Sequence, residues 1–377
     1  MVLPVSDQLA LARQRRASGT MSDFDGNRLS LARRLRRMTR TGLANLISVG
    51  PAAITQFEKG QSRPTNIVAG ELALALGMSI EFFRVGRPIE LVPSTGAHFR
   101  SLRATPAISR DQALAFAELG IAISGLLERY VDFPNYDVPL QVIDEDPGAN
   151  DVFEAARATR VLFGIPKGPI PNVVRLIEAR GVIVLRMPPE IDYRVDAFSA
   201  IGQGRSIVLL SEAKADLARS RFDAAHELGH LVMHPDVEPG SKLIEAQAHG
   251  FAAEFLVPEE ELVDELPRRL DWGRLQELKA HWGVSLKALA TRAHLLGVWG
   301  DATYRRSMQT LAAQGYPEPG SLGPSESPYL LGAVANLIES SGIDLDSVAA
   351  AGGIPSATLR QIIAAGTENR PRLTLTG

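Results

Sequence analysis

The sequence of 377 residues contains no cysteine. A chain without cysteine forms neither disulfides nor thiolate-metal sites, so any bound transition metal must use histidine and carboxylate ligands. The sequence also has no apolar run of about eighteen residues, the length that spans a bilayer. Its N-terminus lacks the apolar segment and cleavage site of a signal peptide. These absences predict a cytoplasmic protein that does not enter a membrane.

The remaining composition is that of a globular protein. Hydrophobic residues make up 45% of the chain and charged residues 22%, which is enough apolar material for a buried core. The length exceeds that of one ordinary domain. We therefore expect a multidomain protein that is mainly α, with an α+β part.

The positive charge is concentrated near the N-terminus. The net charge is −3, yet the segment from Arg28 to Arg63 carries eight Lys or Arg residues and one acid, Glu58. A basic segment within a slightly acidic chain is typical of a domain that contacts phosphate groups. The alternative is a helix face that is simply solvated.

Periodicity and turn residues divide the chain into five parts. We expect a polar tail at 1–27, a bundle of five short helices at 28–86, a helical linker at 87–140, an α+β domain at 141–310 and a C-terminal helical region at 311–377.

Within the α+β part, the helical period changes to that of strands after Gly181. The segments VIVLRM (182–187) and RSIVLLS (205–211) predict two strands, and DAFSAIGQG (196–204) predicts a third strand with a turn at its glycines. Helices follow, so we expect a small sheet packed against helices.

The segment FDAAHELGHLVMH contains three of the seven histidines, His226, His230 and His234. His226 to His230 matches the pattern His-Glu-x-x-His, and residues four apart project from one face of a helix. Two imidazoles can therefore bind one metal ion, with Glu227 beside them as a base. The pattern predicts a catalytic zinc site, and the alternative is two histidines on an ordinary helix surface.

The third ligand is not fixed by spacing. His234 lies eight residues after His226, a rise of about 12 Å, which is too far for one ion with bonds of about 2.0 Å. We therefore expect a structural role for His234. The next helix, within SKLIEAQAHGFAAEFLVP (241–258), offers Glu245 and Glu254, with His249 as a weaker option.

The two helices together resemble the ImmA/IrrE family of zinc metallopeptidases. The resemblance rests on RSRFDAAHELGHLVMH and EAQAHGFAAEFLVP and extends over roughly 151–258. It implies a zincin-like metallopeptidase domain with a small sheet, Zn²⁺ bound by His226, His230 and Glu245, and Glu227 as the general base. His249 departs from the family pattern, which often has Asn there.

The basic bundle contains GLANLISVGPAAITQFEKGQSRPT (42–65), which resembles the lambda-repressor-like (Xre-type) helix-turn-helix. The resemblance implies that Pro51 to Phe57 is the recognition helix in the major groove. The residues expected to read bases are Ala52, Ala53, Thr55 and Gln56, and those expected to contact phosphates are Arg40, Lys59 and Arg63. Few of these base-reading side chains form hydrogen bonds, so the alternative is a bundle that binds a protein.

The leading functional interpretation is a DNA-binding transcriptional regulator with a zinc-dependent peptidase domain that cleaves a repressor or antitoxin-like protein. Its partners would be double-stranded DNA and a protein substrate, and the sequence leaves a homodimer open. One alternative is a transcription factor whose zinc site is structural or sensory; another is an antitoxin-like partner. Glu227 favours the enzyme, because a structural metal site needs no general base.

Overall fold

The computed structural model describes residues 19–84, 97–99, 105–141, 143, 149–202, 204–211, 216–235, 241–315 and 318–367. The chain folds into two compact units. The first unit contains Met1–Val92, Thr105–Asp132 and Leu331–Ala364, and the second contains Pro93–Ala104, Phe133–Leu330 and Ala365–Gly377. Among the described residues, no helix is both long and apolar enough to span a membrane.

The first unit begins with the five short helices that the sequence predicts. They are α1 (Gly26–Leu35), α2 (Arg40–Leu46), α3 (Pro51–Glu58), α4 (Asn66–Leu76) and a 3-10 helix (Ile80–Phe83). Side chains of Asp25, Thr39, Thr65 and Ser79 cap four of them at the N-terminus. Each helix contributes a fully buried apolar residue to one core: Leu29, Leu43, Ile54, Leu72 and Phe82.

Residues 19–25 pack onto this bundle, although the sequence predicts a polar tail there. Phe24 is buried and stacks on Phe83 with ring centroids 5.9 Å apart, and Met21 is also buried. At Gly26, a Cβ atom would lie 2.2 Å from the carbonyl oxygen of Phe57, so only glycine permits this approach of α1 to α3. Two buried apolar residues thus help to anchor this otherwise polar stretch to the bundle.

The helix that follows, α5 (Ala107–Leu127), also belongs to the first unit. The sequence predicts a spacer in the linker 87–140, but α5 is apolar around most of its surface and is buried along most of its length. A helix of that kind forms a core rather than a solvated connection.

The second unit combines eight helices with a small sheet among the described residues. Its helices are α6 (Ala149–Leu162), α7 (Val173–Glu178), α8 (Leu217–Met233), α9 (Lys242–Leu256), α10 (Glu259–Leu262), α11 (Trp272–Trp282), α12 (Leu286–Leu295) and α13 (Asp301–Gln314). Its strands are β1 (Ala97–Phe99), β2 (Ile183–Arg186), β3 (Phe198–Ile201) and β4 (Ser206–Leu210).

The sheet has the order β1-β3-β4-β2. Strands β2 and β4 are parallel, and β3 is antiparallel to both β4 and β1. The three strands expected from the sequence are confirmed. Strand β1 is an addition, because it lies in the segment expected to be a helical linker.

Helices α8 and α9 pack closely. A Cβ atom on Gly229 would lie 3.0 Å from the ring of Phe251, so the absence of a side chain at 229 lets α9 approach α8. The N-cap Asp216 accepts a hydrogen bond from the Arg219 N–H and fixes the start of α8. These two helices carry His226, His230 and Glu245.

The chain ends with α14 (Leu330–Ser340), α15 (Leu345–Gly352) and α16 (Ser356–Ala365). Residues 331–364 group with the first unit, so the expected linker 87–140 and the expected C-terminal region 311–377 are each divided between the two units. At Gly352 a Cβ atom would lie 2.5 Å from the Leu126 side chain, which shows how closely α15 approaches α5.

Candidate metal centre and nucleic-acid interface

Two helices of the second unit bring three ligand atoms together. Helix α8 presents His226 and His230 on one face, and the first turn of α9 presents Glu245. The two Nε2 atoms are 3.2 Å apart. The Glu245 carboxylate oxygens lie 3.4 Å from His226 Nε2 and 3.6 Å from His230 Nε2.

This arrangement has the dimensions of a zinc site. Tetrahedral ligands at about 2.05 Å from a zinc ion are separated from one another by about 3.3 Å. Both histidines are almost wholly buried, and two imidazole nitrogens with one carboxylate are ligand types that zinc takes in proteins. Among the described residues, this is the one group of three or more His, Asp and Glu side chains that could hold a metal. The residues therefore fit the zinc ion that the motif implies.

The other acidic candidate, Glu254, has a different environment. It is fully buried, where it pairs with Arg292 and, at 2.7 Å, with Arg157. It also accepts the backbone N–H of Glu259 at 3.1 Å. Glu254 is therefore part of a buried ion-pair network and does not belong to the ligand group.

His249 also lies outside the ligand group. Its ring packs against the rings of His226, at a centroid distance of 4.8 Å, and Phe222, at 5.2 Å. Its Nδ1 atom lies 3.1 Å from the backbone oxygen of Glu245. His249 thus helps to pack the two helices at the site.

The carboxylate of Glu227 is held by the sheet. Glu227 follows His226 on α8 and is buried, and the hydroxyl of Ser199 donates a hydrogen bond of 2.8 Å to its Oε2 atom. Ser199 lies in β3, with its side chain fully buried. Ser199 was not predicted from the sequence, because strand periodicity shows that it alternates with apolar residues but not which helix it faces.

His234 contacts a ligand histidine directly. Its Nδ1 atom lies 3.2 Å from His230 Nδ1, and its Nε2 atom lies 2.7 Å from the Gln247 amide oxygen. Burial lowers the pKa of His234, so its ring is neutral at pH 7. Since an amide oxygen only accepts, His234 Nε2 carries the proton and His234 Nδ1 accepts from His230 Nδ1–H.

That tautomer leaves the lone pair of His230 Nε2 directed at the ligand group. The structural role expected for His234 is therefore one of orienting a metal-binding ring, and Gln247 completes the chain of hydrogen bonds. The sequence signal for this role was the spacing of four residues between His230 and His234, which puts both rings on one face of α8.

In the first unit, α2 and α3 form the predicted pair of helices with a tight turn. Ser48 has a φ of 53°, and Gly50 is the N-cap of α3 without a side-chain cap. Within α3, Ile54 and Phe57 are buried in the core. Of the residues expected to read bases, Ala52 and Gln56 are exposed, and Ala53 and Thr55 are half-buried.

The expected phosphate-binding residues differ in their surroundings. Lys59 and Arg63 are both exposed. The Arg40 guanidinium, half-exposed, donates to the buried Glu58 carboxylate, which Arg33 also contacts at 2.6 Å. Arg40 therefore keeps a positive charge at the surface but has part of its field offset by Glu58.

Two family models match parts of the chain. Residues 178–294 match the model of the IrrE N-terminal-like domain, and this range contains the His-Glu-x-x-His helix and Glu245. Residues 29–83 match a helix-turn-helix model. No curated protein gives a significant match to the chain.

Proposed function

We propose that this chain, which joins an Xre-type helix-turn-helix domain to an IrrE N-terminal-like metallopeptidase domain, is a cytoplasmic DNA-binding regulator that cleaves a protein. The substrate would be a repressor or an antitoxin-like protein. One observation carries the enzymatic part: three metal ligands converge, and the helix that supplies two of them also carries a buried carboxylate, Glu227. Three protein ligands are typical of catalytic zinc sites, whereas structural sites use four.

When bound, zinc would polarise the scissile carbonyl and make a water molecule acidic near neutral pH. His226, His230 and Glu245 would hold the ion. Glu227 would take the proton from the attacking water and deliver it to the nitrogen of the leaving amine. The hydrogen bond that Ser199 donates to one oxygen of that carboxylate would orient Glu227 for the proton transfer.

The second candidate function, a zinc-sensing or zinc-stabilised transcription factor, uses the same ligands but has no use for Glu227. The test is to measure the zinc content of the wild type and of Glu227→Gln, and their cleavage of repressors encoded nearby. Peptidase function predicts that both proteins bind one zinc and that only the wild type cleaves. Zinc binding by both proteins with cleavage by neither would support the sensor.

The DNA-binding part rests on the exposed cations beside α3. Binding to duplex DNA should weaken steeply with salt, because each neutralised phosphate releases counterions. Replacing Arg40 and Lys59 with alanine should reduce the slope of log affinity against log salt by roughly one for each phosphate that the variant no longer neutralises. Binding that is insensitive to salt and to these changes would instead favour a protein partner for the bundle.

A further inference from the structure

The C-terminal helices repeat the architecture of the helix-turn-helix. Helices α2 and α3 begin at Arg40 and Pro51, and α15 and α16 begin at Leu345 and Ser356. Both pairs are related by a constant shift of 305 positions. The same shift takes α1, Gly26–Leu35, onto residues 331–340 of α14.

The turn between the second and third helices is the same in both copies. Ser48 has a φ of 53°, and its counterpart Gly353 has a φ of 62°. The following residues, Val49 and Ile354, donate their backbone N–H to the carbonyl five positions earlier at 3.0 and 2.9 Å. In both copies, the turn thus consists of a residue with a left-handed backbone conformation, followed by an apolar residue whose N–H closes the turn.

The link between the first and second helices also repeats. Arg37 has a φ of 54°, and its counterpart Gly342 has a φ of 84°. The next residues, Met38 and Ile343, donate to the carbonyl five positions earlier at 3.1 and 3.2 Å. Two separate turns of the motif therefore correspond position by position.

The buried positions correspond as well. Four pairs of core residues are each buried in both copies: Leu43 and Val348, Ala44 and Ala349, Ile54 and Leu359, Phe57 and Ile362. The two copies share their backbone turns and their pattern of buried positions. Most of the side chains differ, so few identical residues reveal the repeat in the sequence.

The outward face of α16 carries side chains suited to reading bases. Arg360 and Gln361 occupy the positions of Thr55 and Gln56 in α3, and both are exposed. Arg pairs in bidentate fashion with guanine O6 and N7, and Gln pairs with adenine N6 and N7. Helix α16 thus has an arginine where α3 has Thr55, and both helices have a glutamine at the next position.

The Arg360 side chain is held in place from the preceding helix. Its Nη1 atom lies 2.6 Å from the Asp346 carboxylate of α15. Hydrogen bonds from Arg360 and Ser356 lower the pKa of Asp346, which keeps the carboxylate charged at neutral pH. One nitrogen of the guanidinium is engaged, and the planar group retains further donors for a base edge.

The charge of this second copy differs from that of the first. Residues 331–365 carry Glu339, Asp344 and Asp346 against one base, Arg360. The positions of Arg40 and Lys59 are occupied by Leu345 and Ala364. Arg360 is thus the one cation of the second copy, whereas the segment from Arg28 to Arg63 carries eight, so of the two copies the first is the one suited to binding phosphates.

We propose that residues 331–365 are a second helix-turn-helix, in which Arg360 and Gln361 of α16 read guanine and adenine in duplex DNA. This inference rests on the DNA-binding part of the proposed function. The first copy supplies salt-dependent affinity, and the second copy adds sequence preference. Because both copies belong to one chain, binding of the first raises the effective concentration of the second near the duplex.

The test uses the full-length protein and duplexes selected by the wild type from a random pool. Affinity for the selected duplex and for a scrambled duplex is measured over a range of salt for wild type, Arg360→Ala/Gln361→Ala and the control Asn336→Ala. We expect the double variant to lose about tenfold or more in affinity for the selected duplex, with no loss for the scrambled one and an unchanged salt slope. All three residues are exposed, so equal thermal unfolding midpoints should confirm that the variants fold.

The outcomes separate the two hypotheses. If the wild type selects and binds a duplex but the double variant binds it equally well, the second copy does not read DNA, and a packing or protein-binding role replaces it. If the wild type binds no duplex at all, the DNA-binding part of the proposed function fails together with this inference. If Asn336→Ala loses as much affinity as the double variant, the effect is not that of the recognition helix and the inference is overturned.

Discussion

His230 and His234 face each other through their Nδ1 atoms, 3.2 Å apart, and Gln247 fixes the far side of His234. One helix thus supplies both a proposed zinc ligand and the group that sets its tautomer. Hydrogen-bond partners of metal-bound histidines typically contribute one to two orders of magnitude to metal affinity. The motif therefore extends one turn beyond His-Glu-x-x-His.

The first prediction concerns His234. His234→Ala and Gln247→Leu should each weaken zinc binding by about 10- to 100-fold without abolishing it. The double variant should lose little more than His234→Ala alone, because both act through one chain of hydrogen bonds. Competition with a chromogenic chelator measures the dissociation constants. The exposed His281 supplies the control, since His281→Ala removes a histidine elsewhere. Equal losses of zinc affinity in His234→Ala and His281→Ala would contradict the role of His234 in orienting His230.

The second prediction separates the two glutamates of α9. Glu245→Gln should remove tight zinc binding, because it takes away the anionic ligand of the group. Glu254→Gln should keep zinc but lower the free energy of unfolding by roughly 3 kcal/mol, because it leaves the buried Arg292 without its carboxylate. Zinc content and urea unfolding of the two variants test both halves. Zinc loss confined to Glu254→Gln would contradict the assignment of Glu245.

The sequence alone could not choose between Glu245 and Glu254, and the reason is geometric. Nine residues at about 100° each turn a helix by half a revolution beyond two full ones, so the two side chains leave opposite faces of α9. Periodicity therefore shows that only one of them can face α8. Which one does so depends on how α9 packs against α8 at Gly229, and this tertiary contact is not encoded in the periodicity of α9.

Other parts of the structure differed in how well the sequence predicted them. The helices from Gly26 to Phe83 and the strands β2, β3 and β4 follow local signals of caps, turns and period. Strand β1 has three residues and is stabilised by its pairing with β3, so no local sequence pattern predicts it. The repeat in α14–α16 is preserved in turns and buried positions, which become visible only when the backbone is known.

The third prediction concerns Ser199. Ser199→Ala should leave zinc binding intact and reduce the cleavage rate about tenfold, because the Glu227 carboxylate loses the donor that orients it. Ser199→Thr keeps a hydroxyl at this position and should recover part of the rate. The measurements are kcat, KM and zinc content, and the reduction should appear in kcat. A loss of zinc in Ser199→Ala would show that Ser199 supports the fold of the site rather than the base.

The final prediction concerns Glu178, whose carboxylate accepts the backbone N–H groups of Tyr329 and Leu330 at 2.9 and 3.0 Å. Burial outweighs these bonds and raises the pKa of Glu178 to about 7, from 4.5. A raised pKa means that the folded state binds the proton more tightly than the unfolded state does. The resulting stabilisation is fully present below pH 4.5 and is lost as the pH rises through 7.

A difference of about 2.5 pKa units corresponds to roughly 3 kcal/mol over that window. Glu178→Gln cannot ionise, so its stability relative to the wild type should increase by up to that amount between pH 4.5 and pH 8. Urea unfolding of both proteins at four values in this range isolates Glu178, because all other titrating groups are common to the pair. A constant difference in unfolding free energy across the range would show that Glu178 ionises in the fold as readily as it does in the unfolded chain.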